Sequence, residues 1–301
     1  MREHSIFSLG PHGFHRLAYT EWGNPDHAHV VVCVHGLTRK ARDFDFLAAA
    51  LQNDCRVVCP DMPGRGNSEW LSHGEDYSYP VYVADMAALL ARLGAKGSSK
   101  ILNLMAKIFS RVKDPIIDWV GTSMGALIGM MIAAQPKSPI RRLVMNDAGP
   151  LVPAAALRRL GGYVGKDPRF KNFEEFETHV RQVSAPFGPL TDAQWRHLAI
   201  HSAKKFDDGT YGFKYDPVIG TPFNAGIYKD VDMWSLWEKV HCPVLILRGA
   251  ESDLLLKETA EKMREREAPT RLVEFPGIGH APMLMAGDQI KIVRDFVLAP
   301  D

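Results

Sequence analysis

The sequence predicts an α/β protein: a mostly parallel central sheet with helices on both faces and an inserted, mainly helical segment. Three observations predict it. Short β-branched apolar runs alternate with stretches of helical spacing. Glycine-rich turns follow several of those runs. The alternation lapses between about 151 and 235 and then resumes.

The first run, His29 to Val34, is apolar throughout, as expected of a strand buried on both faces. His35-Gly36 ends it. A helix is expected from Asp43 to Leu51 and a second strand from Arg56 to Cys59, closed by the turn-rich stretch from Pro60 to Ser68. Val83, Met86, Ala87 and Leu90 recur at helical spacing within Pro80 to Leu93, with Gly94 as a stop. Ile116 to Val120 reads as a strand leading through Gly121-Thr122-Ser123-Met124-Gly125 into a very apolar helix, Ala126 to Ala134. Arg142 to Met145 is the next strand. Val244 to Leu247 and Arg271 to Phe275 complete the set, with a charged helix at Lys257 to Glu267 and a final helix at about Met283 to Leu298. Residues 1–150 and 236–301 are read as the core, and 151–235 as a helical cap rich in aromatics, among them Phe176, Phe187, Phe213 and Tyr215.

The chain has 301 residues, 46% of them hydrophobic and 24% charged, with a formal net charge of +1. That is ample apolar material for a large core. No overall field favours nucleic acid, an acidic polymer or an anionic membrane. The start lacks a secretory pattern and no segment has the uninterrupted apolar length of a membrane span, so a cytoplasmic enzyme is expected. Cys33, Cys55, Cys59 and Cys242 follow no framework spacing and read as reduced thiols. The segment 95–114 exceeds a minimal connection. Ile101, Leu104, Met105, Ile108, Phe109 and Val112 form one apolar stripe there. It reads as a helix packed on the body, with a docking face for a second subunit, and hence a homo-oligomer, or for a membrane surface as the alternative.

Gly-x-Ser-x-Gly between a strand and a helix makes Ser123 the candidate nucleophile: the tight turn needs small neighbours and pushes the hydroxyl outward. A serine hydroxyl attacks well only when a base takes its proton. Among twelve histidines, His280 stands out, in a glycine-rich loop after the last strand and in the chain order Ser, Asp, His. Asp253, just past the strand ending at Leu247, is the expected acid that orients it. Asp147, just past the strand ending at Met145, is the competitor, and Glu251 a third choice. The backbone N–H groups of Leu37 and Met124 would form a two-donor oxyanion hole. The side chain of His35 reads as a structural hydrogen-bonder, while Arg39 is either a substrate contact or a surface charge. The stretch from Asp61 to Ser68 has neither the dinucleotide pattern nor a phosphate-loop lysine. No spacing suggests a metal site, and no cofactor is required.

With these residues in place the chain resembles the α/β-hydrolase superfamily over most of its length. The resemblance is carried by His35-Gly36, by Asp61, Gly64, Gly66 and Ser68, by the Ser123 pentapeptide, by the Asp253 loop and by Gly279-His280. Haloalkane dehalogenases and epoxide hydrolases look similar but use aspartate where this chain has Ser123, which disfavours alkyl transfer. The resemblance implies an ester, lactone or thioester hydrolase of a small or medium, largely apolar substrate. A carbon–carbon bond hydrolase of a diketone-type substrate, or a slow-turnover receptor, is the alternative.

Overall fold

The computed structural model describes residues 1–94, 115–223, 226 and 228–300. The stretch 95–114, with its expected amphipathic helix and docking face, lies outside the described residues. Twelve strands are described in chain order: β1 Arg2–Gly10, β2 Gly13–Trp22, β3 His29–Val34, β4 Arg56–Pro60, β5 Ile116–Thr122, β6 Ile140–Asn146, β7 Leu151–Val152, β8 Ala203–Lys205, β9 Tyr211–Phe213, β10 Val231–Asp232, β11 Val244–Gly249 and β12 Thr270–Phe275. Eight of them form one sheet in the order β1-β2-β4-β3-β5-β6-β11-β12. From β4 to β12 all neighbours are parallel, whereas β1, β2 and β4 pair antiparallel.

The central strands are buried on both sides, which is why they read as unbroken apolar runs. Successive residues of β3 belong to opposite cores. Val30, Val32 and Val34 pack with Trp119, Leu143 and Ile246 on one face. Val31 and Cys33 pack with Val120, Val144 and Leu245 on the other. Helices α2 (Tyr79–Arg92) and α3 (Met124–Ala133) supply the first face, and α1 (Asp45–Leu51) and α9 (Gly287–Val297) the second. Nearly every residue of α3 is buried, so a helix apolar all round suits its place between sheet and neighbouring helices. The four cysteines are free thiols, and three of them are buried. No helix among the described residues is long and apolar enough to cross a membrane.

The parallel elements fall within a few residues of their expected places, but three features differ. The N-terminal hairpin β1–β2, closed by Pro11 and His12, was not foreseen in the sequence. Its outer strand leaves Phe7 and Leu9 exposed, so no buried stripe advertised it. The helix expected at Asp43 begins as a single 3-10 turn, Ala41–Phe44, before α1. The charged helix α8 (Lys257–Lys262) stops short of the expected Glu267. Beyond it Arg266 donates to the carbonyls of Val240 and Cys242 (the latter at 2.7 Å), which pulls the chain out of helical register.

Residues 151–235 carry α4 (Ala154–Gly161), α5 (Phe173–Val183), α6 (Asp192–Ser202) and α7, Trp234–Trp237, which ends just beyond them, with two two-stranded ribbons, β7–β10 and β8–β9. Helix α6 opens with a capping box between Thr191 and Gln194, and Asn172 caps α5. Phe176 and Val180 are buried in a small core of this segment's own, against Phe170, Phe173, Tyr211 and Phe213.

Candidate active site

Strand β5 hands over to α3 at Ser123, whose backbone sits at φ 53° and ψ −116°. That left-handed conformation is strained for a residue with a side chain. It survives because the surroundings are too tight to relax. A Cβ on Gly121 would lie 2.3 Å from the carbonyl of Gly125, and one on Gly125 only 2.0 Å from the oxygen of Val34. The Ser123 N–H donates to the Asn146 carbonyl (2.9 Å), and its own carbonyl accepts the N–H groups of Ala126 and Leu127. With the backbone held on both sides, the hydroxyl projects at the carboxyl edge of the sheet.

There it meets His280. Nε2 of the imidazole is 2.9 Å from Ser123 Oγ, and Nδ1 is 2.7 Å from Asp147 Oδ2. Asp147 lies one residue past β6 and is fully buried. Its carboxylate is fixed from two further directions: the Gly249 N–H donates to Oδ1 (2.9 Å), and the Ser252 hydroxyl donates to Oδ2 (2.7 Å). Gly249, Ser252 and His280 thus hold this buried carboxylate in place from three sides. Asn146 adds a tie. Its Nδ2 donates to Thr122 Oγ1 (3.0 Å) and to the Pro282 carbonyl (2.7 Å), linking the ends of β5 and β6 to the His280 loop.

Asp253, expected at the imidazole, is elsewhere. Its carboxylate forms a two-pronged ion pair with Arg159 of α4, at 2.5 and 2.9 Å, and its side chain is 47% exposed. The loop after β11 accounts for the exchange. Ser252 turns inward, accepting the N–H groups of Leu254 and Leu255 while it donates to Asp147. With Ser252 inside, Asp253 faces out. Glu251 is exposed.

The loop after β3 is shaped by two buried groups. Met62 N–H donates to His35 Nε2 (2.9 Å), so Nδ1 carries the proton and donates to the Gly36 carbonyl (2.7 Å). Burial drives the His35 imidazole down to about 3, so it stays neutral and unfit as a base. In a trans peptide the C=O and N–H point opposite ways. Drawing the Gly36 carbonyl toward His35 therefore turns the Leu37 N–H away from it. The next carbonyl, that of Leu37, accepts Arg65 Nε at 2.8 Å. Arg65 is wholly buried, also donates to the Pro63 carbonyl and the Tyr82 hydroxyl, and approaches Met124 Sδ at 4.0 Å. It thus braces both the Leu37 loop and the first residue of α3. Sequence reading passed over Arg65, Ser252 and Asn146. Only the glycines flanking Arg65 hinted at a tight, buried turn.

Ser123 and His280 open onto a cavity of about 360 Å³. Leu37, Leu160, Phe187, Phe213, Tyr215 and Met283 give it apolar walls, with Arg39, Arg159 and Lys166 among its polar lining. The guanidinium of Arg39 is engaged by Asp43 through Nε (2.7 Å) and Nη2 (2.8 Å), so this residue is part of the wall. Away from the cavity, Asp45, His197 and His201 cluster closely enough to suit a metal ion. Arg42 already occupies that carboxylate from both oxygens, at 3.0 and 2.7 Å.

Comparison with known proteins bears on this arrangement. A family model described as alpha/beta hydrolase family matches residues 31–291. The 3-hydroxybutyrate-oligomer hydrolase of Cupriavidus necator is 44% identical over 296 residues, spanning 96% of this chain and 94% of that protein. Among solved structures, an alpha/beta hydrolase from Novosphingobium aromaticivorans superposes with a TM-score of 0.81 at 33% identity, covering 98% of each chain. A protein from Rickettsia typhi gives a TM-score of 0.88 at 29% identity over the full length of both.

Proposed function

This chain belongs to the alpha/beta hydrolase family, and from that premise we propose that it hydrolyses the ester bonds of short hydroxyalkanoate-type oligoesters through Ser123, His280 and Asp147. The observation that carries the reading is the single row of hydrogen bonds in which one imidazole contacts both the hydroxyl of Ser123 and the carboxylate of Asp147. The substrate class rests on the 44% identity to the 3-hydroxybutyrate-oligomer hydrolase along almost the whole chain. An apolar-walled cavity at the serine fits a chain of small methyl-bearing units.

In the proposed cycle, Ser123 Oγ attacks the ester carbonyl while His280 Nε2 takes the hydroxyl proton. Asp147 holds Nδ1–H and stabilises the imidazolium that forms. The N–H groups of Leu37 and Met124 receive the oxyanion, and the start of α3 adds a favourable dipole. His280 then returns the proton to the leaving alkoxide, the alcohol departs, and water repeats the sequence on the acyl-serine. Residues 151–235 act as a cap over this chamber, which excludes bulk water and limits the length of chain admitted.

The test is turnover of p-nitrophenyl butyrate and of a linear 3-hydroxybutyrate trimer by the wild type and by Ser123→Ala. Steady turnover of both, falling by about 10⁶-fold in the variant, is the expected result. A slow stoichiometric burst without turnover would assign the protein to ligand reception instead.

A further inference from the structure

Resting on that ester-hydrolase reading, we propose that Arg159 and Lys166 form a carboxylate-recognition site at the cavity, so that the protein prefers oligoesters ending in a free carboxylate. The cavity lining carries three full cations, Arg39, Arg159 and Lys166, against one carboxylate, Asp43. A neutral ester gives no reason for such an excess. Asp43 neutralises Arg39 within the wall. Lys166 has no carboxylate partner among the described residues, and Arg159 leans on Asp253, which lies outside the cavity lining.

The two residues differ in how they are held. Lys166 follows α4 in a fixed turn: its N–H donates to the Tyr163 carbonyl (3.2 Å), and its carbonyl accepts the Tyr215 hydroxyl (3.4 Å). Both tyrosines line the same cavity. Arg159 and Asp253 are each more than a third exposed, at 38% and 47%. Solvent weakens such a pair, so an incoming carboxylate can take over the planar fork of the guanidinium. A linear hydroxyacid oligomer has this chemistry built in: neutral ester links along the chain and one terminal carboxylate. Gripping that end while Ser123 attacks an inner link would make cleavage proceed from the acid terminus.

The experiment compares kcat/KM for a linear 3-hydroxybutyrate trimer as the free acid and as its methyl ester, with cleavage of the inner links measured in both. The wild type should prefer the acid by about tenfold. That preference should shrink toward unity in an Arg159→Met/Lys166→Met variant and in concentrated salt, and survive in Lys166→Arg. Asp253→Asn, which leaves Arg159 without its protein carboxylate, should widen it. A circular dichroism spectrum and a cooperative melt report, independently of activity, that each protein has folded. A wild-type ratio near one, or a preference that survives the double variant, overturns the carboxylate site and leaves the ester reading standing. Folded protein that cleaves neither compound overturns the ester reading and the site with it.

Discussion

Two aspartates stand just past neighbouring strands of one sheet, Asp147 after β6 and Asp253 after β11, and they have opposite surroundings. Asp147 is buried and accepts from Gly249, Ser252 and His280. Asp253 is half exposed and paired to Arg159 of α4. Both satisfy the rule that ligands gather at the carboxyl ends of parallel strands. The difference teaches that strand-end position narrows the choice to a ring of residues, and that desolvation with directed donors selects within the ring. Asp147 needs those donors because burying its oxygens without hydrogen-bond partners would cost stability.

The comparison is most sharply tested by amide replacement. Asp147→Asn should lower kcat on p-nitrophenyl butyrate by about 10⁴-fold, since the imidazole loses both its tautomer and its counter-charge. Asp253→Asn should change it by less than about threefold, as the loss of an exposed ion pair does. Equal losses would erase the distinction. Gly125→Ala should abolish activity and lower the melting temperature, because its Cβ would lie 2.0 Å from the Val34 carbonyl and the turn at Ser123 could not close. Ser252→Ala probes the donor whose inward turn leaves Asp253 facing out. Losing one hydrogen bond to a buried carboxylate should cost about 1–3 kcal/mol in urea denaturation, with a smaller effect on turnover than Asp147→Asn.

The smallest expected effect lies far from the site, where another carboxylate meets another histidine. Buried His15 of β2 bonds Asp85 of α2 at 2.9 Å, and that hydrogen bond, working against desolvation, raises the imidazole above its ordinary 6.5. A raised folded value means that the stabilisation is complete below 6.5 and fades as pH climbs through the raised value. The stability gap between wild type and His15→Gln should therefore be wider at about pH 6 than at about pH 9 in denaturant titrations. A gap independent of pH would show that protonation of His15 contributes nothing to holding the hairpin.

Much of this molecule was legible in the residues themselves. Strands buried on both faces announce themselves as unbroken runs such as Val30 to Val34, because every side chain there meets a core. The largely exposed outer strand β1 carries no comparable signal. Ser123 and its glycines were visible because a strained strand-to-helix turn tolerates few residue types at its contacts, a local constraint written in five letters. Histidine 280 was singled out by its loop and its place in the chain.

Which carboxylate faces that histidine was decided only by the tertiary structure. Asp147 and Asp253 are equally polar, equally placed after strands, and separated by the whole 151–235 segment. Chain order says nothing of how the loop after β11 turns. Ser252 enters the interior because three groups there need its hydroxyl: the Asp147 carboxylate and the N–H groups of Leu254 and Leu255. Asp253 is carried outward to Arg159 as a result. Likewise Arg65 gains its role only where folding brings β3, β5 and the Asp61 turn together. Local sequence determines what a residue can bond, whereas the partners it meets depend on long-range closure of the sheet, which no neighbouring residue encodes.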